Sequence, residues 1–323
     1  SKVLLKHANR FETMSTLDIM RESAILVRAD SAIQMAIMAI LIAPSSIFLL
    51  SRTLLHTKVM STIHLLYSPL SQLMSSAHFL YYWSFVASIY ESLSHTVISY
   101  ALAAPILFTV MLLAKSSIVC SIAFTYSEKP HTLFIVIAAG ARSWKRVFWT
   151  YVWTCILLFG FGSSASLVFL FMVNLLHELQ SSSILILLAE LALGVFYSFL
   201  FVHIVVVGNL ASVVSILEES SGFIAVKESF NMMKGKTQVA MSLFFVSTLF
   251  MGMIERLYEY RVLGIIPSSY AITITSRMWE GPLLVFMYSF LLLLDAVMSG
   301  ILYFVCKAER IQTFHMQVHS IDV

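Results

Sequence analysis

Six stretches of this chain are dominated by apolar residues: 31–50, 96–126, 147–174, 183–215, 239–257 and 283–306. None alternates apolar with polar at every second position, as the strands of a β-barrel do, so each reads as a helix that is hydrophobic on nearly all sides. About 20 apolar residues in a helix cross the roughly 30 Å hydrocarbon core of a bilayer. The predicted fold is therefore an all-α, polytopic transmembrane helix bundle of six spans. The second and fourth stretches exceed the needed length and are expected to tilt or to emerge at their ends. Residues 52–95 fit the pattern least. There 81–90 is apolar but short, with Glu91 and His95 behind it, and the segment is read as an interfacial helix.

A second pattern lies between the spans. RESAILVR at 21–28 returns as KESFNMMK at 227–234, an offset of 206 residues that superposes Leu17, Met20, Ala24 and Val27 on Phe223, Val226, Phe230 and Met233. These positions form an apolar stripe along one helical face. Ser15 with Asp18 resembles a capping box that starts the first of these helices. A weaker copy sits 120 residues after the first: Ile137, Trp144 and Val147 keep the stripe, Gly140 breaks it, and ARSWKR supplies the basic, Ser, basic core. The predicted organisation is an N-terminal segment 1–14, one membrane domain 15–310 built from three tandem units (15–128, 130–218 and 220–309), and a tail 311–323. Each unit holds an amphipathic helix, an outgoing span and a returning span, and the returning spans end alike in TYSEK, SILEES and CKAER. Convergence is the competing reading, because any helix lying on a charged leaflet acquires basic residues and an apolar stripe.

Composition makes the bilayer the only adequate solvent: 59% of residues are hydrophobic, 11% are charged, and mean hydropathy is +0.89. Charge then sets an expected orientation. On one side of the six spans lie 15 of the Lys and Arg residues and on the other 5, which predicts both termini and the loops around 129–146 and 218–236 on the cytosolic side. The net charge of +3 gives no reason to invoke nucleic acid; the expected surroundings are the lipid bilayer and its anionic headgroups. No cleavable leader and no N-x-Ser/Thr glycosylation signal is read in the chain.

The strings VCSIAFTYSEKP (119–130), RSWKRVFWTYVW (142–153), NLASVVSILE (209–218), AVKESFNMMKGK (225–236) and LYFVCK (302–307) resemble those of a large plant family of six-span membrane proteins. The resemblance covers about 15–310. It implies a six-span fold and allows a cation channel of the endoplasmic reticulum. One departure is visible: Gly208-Asn209 stands where a Trp is expected before the LASVVS run, which is expected to loosen packing or to put a polar amide at the membrane face.

Catalytic patterns are missing from the sequence. There is no GxSxG elbow, HExxH pair, phosphate-binding loop or dinucleotide glycine motif, and His177-Glu178 lacks the second His of a zinc helix. Cys120, Cys155 and Cys306 fall in or beside separate spans without CxxC spacing. The expectation is a protein that is not an enzyme and carries no cofactor and no metal centre. What stands out instead is polarity at membrane depth: Lys115, Glu190, His203 and Asp295, where a charge costs roughly 2.5–3.5 kcal/mol. Lys115 lies thirteen residues before Glu128 and Asp295 fourteen before Glu309, so the two are placed at one depth and are candidates for an ion pair, either fixing helix register or lining a path. His203 is read as a neutral imidazole hydrogen-bonded between helices. Asn174, Glu178 and Glu190 flank the short non-cytosolic turn and are candidates for the acidic mouth of an ion path. The small and hydroxylated runs FGFGSSAS (159–166) and SVVS (212–215) suit close helix packing or, repeated about an axis, a wetted pore. Two functions remain: a homo-oligomeric channel passing cations, calcium among them, or a non-conducting membrane organiser whose amphipathic helices engage the leaflet. A transporter fits less well, because the units read as parallel, not inverted.

Overall fold

The computed structural model describes residues 14–51, 104–128, 130–178, 183–218, 220–263 and 274–321. The predicted interfacial helix in 52–95 lies outside them. Among the described residues the chain is helical, without strands. In order the helices are α1 (Thr16–Ala29), α2 (Ser31–Ser51, with a π-helical turn at Met38–Ile42), α3 (Ala104–Tyr126), α4 (Leu133–Glu178), α5 (Ser183–Leu217), α6 (Phe223–Met233), α7 (Thr237–Tyr258, ending in a π-helical turn at Glu259–Leu263) and α8 (Ile274–Ile321). Six of them, α2, α3, α4, α5, α7 and α8, are long and apolar enough to cross a membrane. This is a multi-pass membrane protein, and the six spans coincide with the six apolar stretches.

α1 begins as its sequence requires. The Ser15 side chain caps the helix at the Asp18 N–H (3.4 Å), and the Asp18 carboxylate accepts from the Ser15 backbone N–H (2.9 Å) and hydroxyl (2.7 Å). Those bonds hold the Asp18 carboxyl below its ordinary value. The buried face of α1 is Ile19, Glu22, Ser23, Leu26 and Val27, and that of α6 is Ala225, Val226, Ser229, Met232 and Met233. Four of these positions coincide at the offset of 206. The predicted stripe is therefore only partly inward: Val27 and Met233 are buried, whereas Leu17, Ala24, Phe223 and Phe230 are exposed. Smaller side chains, with a serine at the centre, take the packed face because they let the neighbouring helices come close. Ser23, Ser143 and Ser229, at matching positions of the three copies, are all buried, and each hydroxyl donates to its own helix, at Met20, Gly140 and Ala225 (2.7, 2.9 and 2.8 Å).

The middle copy differs from the prediction of three separate amphipathic helices. α4 runs unbroken for 46 residues, about 69 Å at 1.5 Å per residue, so the amphipathic segment and the span are one rod. Gly140 does not break it. A Cβ there would stand 3.0 Å from the Ser117 backbone nitrogen and 3.2 Å from its Cα, so the glycine is the point where α4 and α3 meet backbone to backbone. The other two copies do have a break, at Asp30 and at 234–236. α8 likewise overruns its prediction: it contains Pro282 and continues through the region read as a tail to Ile321.

The chain forms two compact units, one from residues 1–35, 115–248 and 293–323, the other from 36–114 and 249–292. In the first, α4 packs along α5 and α6 lies against both. Its core holds Ile19, Val119, Leu210, Met233, Leu293 and Ile301. Gly222 sets the entry to α6: its φ of 64° favours glycine, a Cβ would press on Trp149 and Trp153 at 3.0–3.1 Å, and its N–H donates to Thr150 Oγ1 (2.9 Å). The second unit centres on Leu50, Leu284 and Tyr288, with the buried hydroxyls of Ser46 and Ser289 2.5 Å apart and the Tyr288 hydroxyl donating to Glu255 (2.9 Å).

Where the apolar parts of α5 and α8 end in the first unit, polar side chains tie the helices together. Glu218, just past α5, accepts from the Tyr303 hydroxyl (2.6 Å) and the Lys307 ammonium (2.7 Å), both on α8, and Arg310 pairs with Glu228 of α6. Burial alone would raise the Glu218 carboxyl; the bonds from Lys307 and Tyr303 and the charges of Lys307 and Arg310 outweigh it and hold the group below its ordinary 4.5. A depressed carboxyl stabilises the fold above the unfolded value and loses that contribution as pH falls through the folded one. Thermal melting in detergent should therefore lose stability below pH 4.5, and Glu218→Gln should flatten that acid limb; an unaltered limb would remove the knot from the account.

Candidate functional site

Polar groups at membrane depth meet in one cluster of the first unit. Lys115 of α3 donates to the Asn209 side-chain carbonyl on α5 and, at 3.4 Å, to the Asn209 backbone carbonyl. The Asn209 amide in turn donates to Ser299 Oγ on α8 (3.1 Å). One turn away, Asp295 accepts from the Ser247 hydroxyl of α7 (2.8 Å), and its own backbone carbonyl accepts from Ser299 (2.8 Å). Four helices are thus linked by an ammonium, an amide, a carboxylate and two hydroxyls. Asn209, Asp295 and Ser299 border a small cavity of about 20 Å³, room for one water, otherwise walled by residues such as Leu210, Leu243 and Leu302.

The predicted Lys115–Asp295 ion pair is corrected by this geometry. The two side chains share the cluster and lie close enough for their charges to act on each other. The direct partner of the ammonium is Asn209, however, and no ion-pair contact joins Lys115 to Asp295 among the described residues. Sequence reasoning noticed Asn209 only as a departure from a family pattern. Its amide does not face outward: it satisfies Lys115 and Ser299 at once. Gly208 beside it is equally constrained, since a Cβ would fall 2.2 Å from Thr154 Cγ2. The dipeptide tightens the contact between α4 and α5; it does not loosen it.

The other candidates fall elsewhere. His203 is not bonded between helices as expected: its ring stands edge-on to Phe230 of α6 at a centroid distance of 5.9 Å and lines a groove between α4, α5 and α6. Asn174 is exposed on α4. Glu178 ends α4 and Glu190 lies in α5; their side chains lie outside the described residues. The Glu218, Tyr303 and Lys307 knot was not anticipated, although the shared terminal glutamates of the returning spans pointed to that level of the molecule.

No curated protein and no solved structure matches the chain. A family model does, over residues 6–320, which takes in α1 to α7, all but the last residue of α8 and the whole polar cluster. The chain belongs to the family described as Domain of unknown function (DUF8558).

Proposed function

We propose that the protein is a homo-oligomeric, cation-permeable channel in which α4 faces the assembly axis. The observation that carries this is the uncovered span: none of the most apolar stretch of α4 is buried within the subunit, and its exposed residues include Ser163 and Ser166, with Asn174 exposed just beyond it on the same helical face. Hydroxyls and an amide on a lipid-facing helix are poorly solvated by hydrocarbon; repeated about a symmetry axis they line a polar path. Glu178 closes the same helix four residues beyond Asn174, and with Glu190 it would favour cations, calcium included, at the mouth. Lys115 and Asp295 are spent on the intrasubunit cluster and serve the fold in this reading. The plant six-span family that the quoted strings resemble is compatible with an endoplasmic-reticulum cation channel of the WeiTsing type, which would set that membrane as the location. The charge bias supports cytosolic termini, which glycosylation acceptors at positions 58 and 268, but not 235, would report by being modified.

The test is purified protein in planar bilayers. Discrete currents are expected, with reversal potentials under asymmetric calcium and chloride salts that favour cations, and Glu178→Gln or Glu190→Gln should reduce that preference while leaving the subunit folded. A monomer that stays electrically silent across voltages and lipids would overturn the channel. It would leave the membrane-organiser reading, which the exposed apolar residues Leu17, Ile25, Phe223 and Phe230 on α1 and α6 favour.

A further inference from the structure

The groove between α4, α5 and α6 has a volume of about 570 Å³, within the range of ligand sites. Its walls are almost wholly apolar. Along α4 it runs from Thr154 to Ser164, ten residues or about 15 Å parallel to the span, past Gly160 and Phe161. Glycine keeps it open: a Cβ at Gly160 would meet nothing within 4 Å.

One end of the groove is different. There Phe223, Lys227 and Phe230 of α6 close it, and Trp149 and Trp153 sit against Gly222 with the Trp153 and Phe223 rings 6.1 Å apart. Tryptophan gathered at a span end marks the headgroup level of a bilayer. Lys227 is exposed, and no described carboxylate pairs with it, unlike Lys307 and Arg310 nearby. A second ammonium, Lys234, lies 5.6 Å from the centroid of the Phe230 ring. His203, on the α5 wall, is the polar group deeper in.

We propose that this groove is a binding site for one anionic phospholipid, its acyl chain laid along α4 past Gly160 and its phosphate headgroup held by Lys227 with Lys234. The chemistry of both ends fits that occupant: an apolar slot along the membrane normal, and cations without carboxylate partners where the headgroup lies. A zwitterionic lipid brings its own cation beside its phosphate and so offers the two ammonium groups no net counter-charge. The proposal rests on the membrane fold and not on conduction, so a silent protein leaves it intact.

The experiment is lipid retention by native mass spectrometry after passage of the full chain through vesicles of phosphatidylcholine containing a minority of phosphatidylglycerol. Wild type is expected to retain one phosphatidylglycerol in preference to phosphatidylcholine. Lys227→Ala should weaken that preference about fivefold, the effect of one cation at a lipid surface, and Lys227→Arg should keep it. Gly160→Leu, whose Cβ enters open space, should abolish retention of either lipid without lowering helical content or melting temperature. Equal retention of both lipids by wild type overturns the proposal. So does unchanged retention in Lys227→Ala or Gly160→Leu, the outcome expected if a second copy of the chain occupies the groove.

Discussion

Asn209→Leu should lower the unfolding free energy of the detergent-solubilised protein by about 3 kcal/mol, because it strips the Lys115 ammonium of its side-chain partner in a low-dielectric setting, leaving only the longer bond to the backbone carbonyl, and leaves Ser299 without the amide. Leucine is close in volume, so the loss is electrostatic and not a cavity effect. Lys115→Met in the same background should recover much of it, since the charge that needed Asn209 is then gone. The cycle distinguishes two partners. If the ammonium depends on Asn209, the coupling between Lys115 and Asn209 exceeds that between Lys115 and Asp295. Should Asp295→Asn prove the costlier change, and Asn209→Leu nearly neutral, the carboxylate is the true partner and the cluster has been assigned wrongly.

Gly140→Leu should be at least as damaging to packing, by about 3 kcal/mol, at the upper end of overpacking costs. The atoms a side chain would meet are the Ser117 backbone nitrogen and Cα as well as the Ser117 hydroxyl, and backbone cannot swing aside as a side-chain tip can. A helix interior normally gains from the loss of a glycine, by about 1 kcal/mol. That makes the sign of the result informative: destabilisation establishes the close crossing of α3 and α4, and stabilisation would show that the two helices do not touch there. Gly160→Leu on the same helix serves as the control, because open space surrounds it.

Particular residues show what could be read in advance. The spans were legible because apolar runs of this length have few other uses, and the Ser15 and Asp18 cap because both partners lie within one turn. The recurring serine of the three copies was legible as a pattern, although its reason, a small buried hydroxyl bonded to its own helix, needed the packing around it. Periodicity gave Lys115 and Asp295 a depth but not a rotation about their helix axes, so Asn209 was visible as a polar amide but not as the partner of Lys115. Gly140 reads in the sequence only as a gap in the apolar stripe, and its use as a contact appears only with Ser117 beside it. Glu178 and Glu190 were placed by their nearness to a turn, and their side chains lie outside what the structure describes.

The continuity of α4 makes it a lever. It is gripped near Trp149, Thr150 and Trp153, where Gly222 and α6 press on it, and it has neither a proline nor a turn between Leu133 and Glu178. From that fulcrum about 28 residues, some 42 Å, extend to Glu178, against 17 residues, roughly 26 Å, back to Leu133. Long helices bend only gently without such interruptions, so a tilt imposed on the short arm reaches the far end nearly undiminished. By the ratio of the arms, a shift of about 1 Å at Leu133 becomes roughly 1.6 Å at Glu178. In the first and third copies the breaks at Asp30 and 234–236 separate the amphipathic helix from the span. Among the described residues only the middle copy joins the two in one helix, so a displacement of its amphipathic end has a direct mechanical route to the far end of the span.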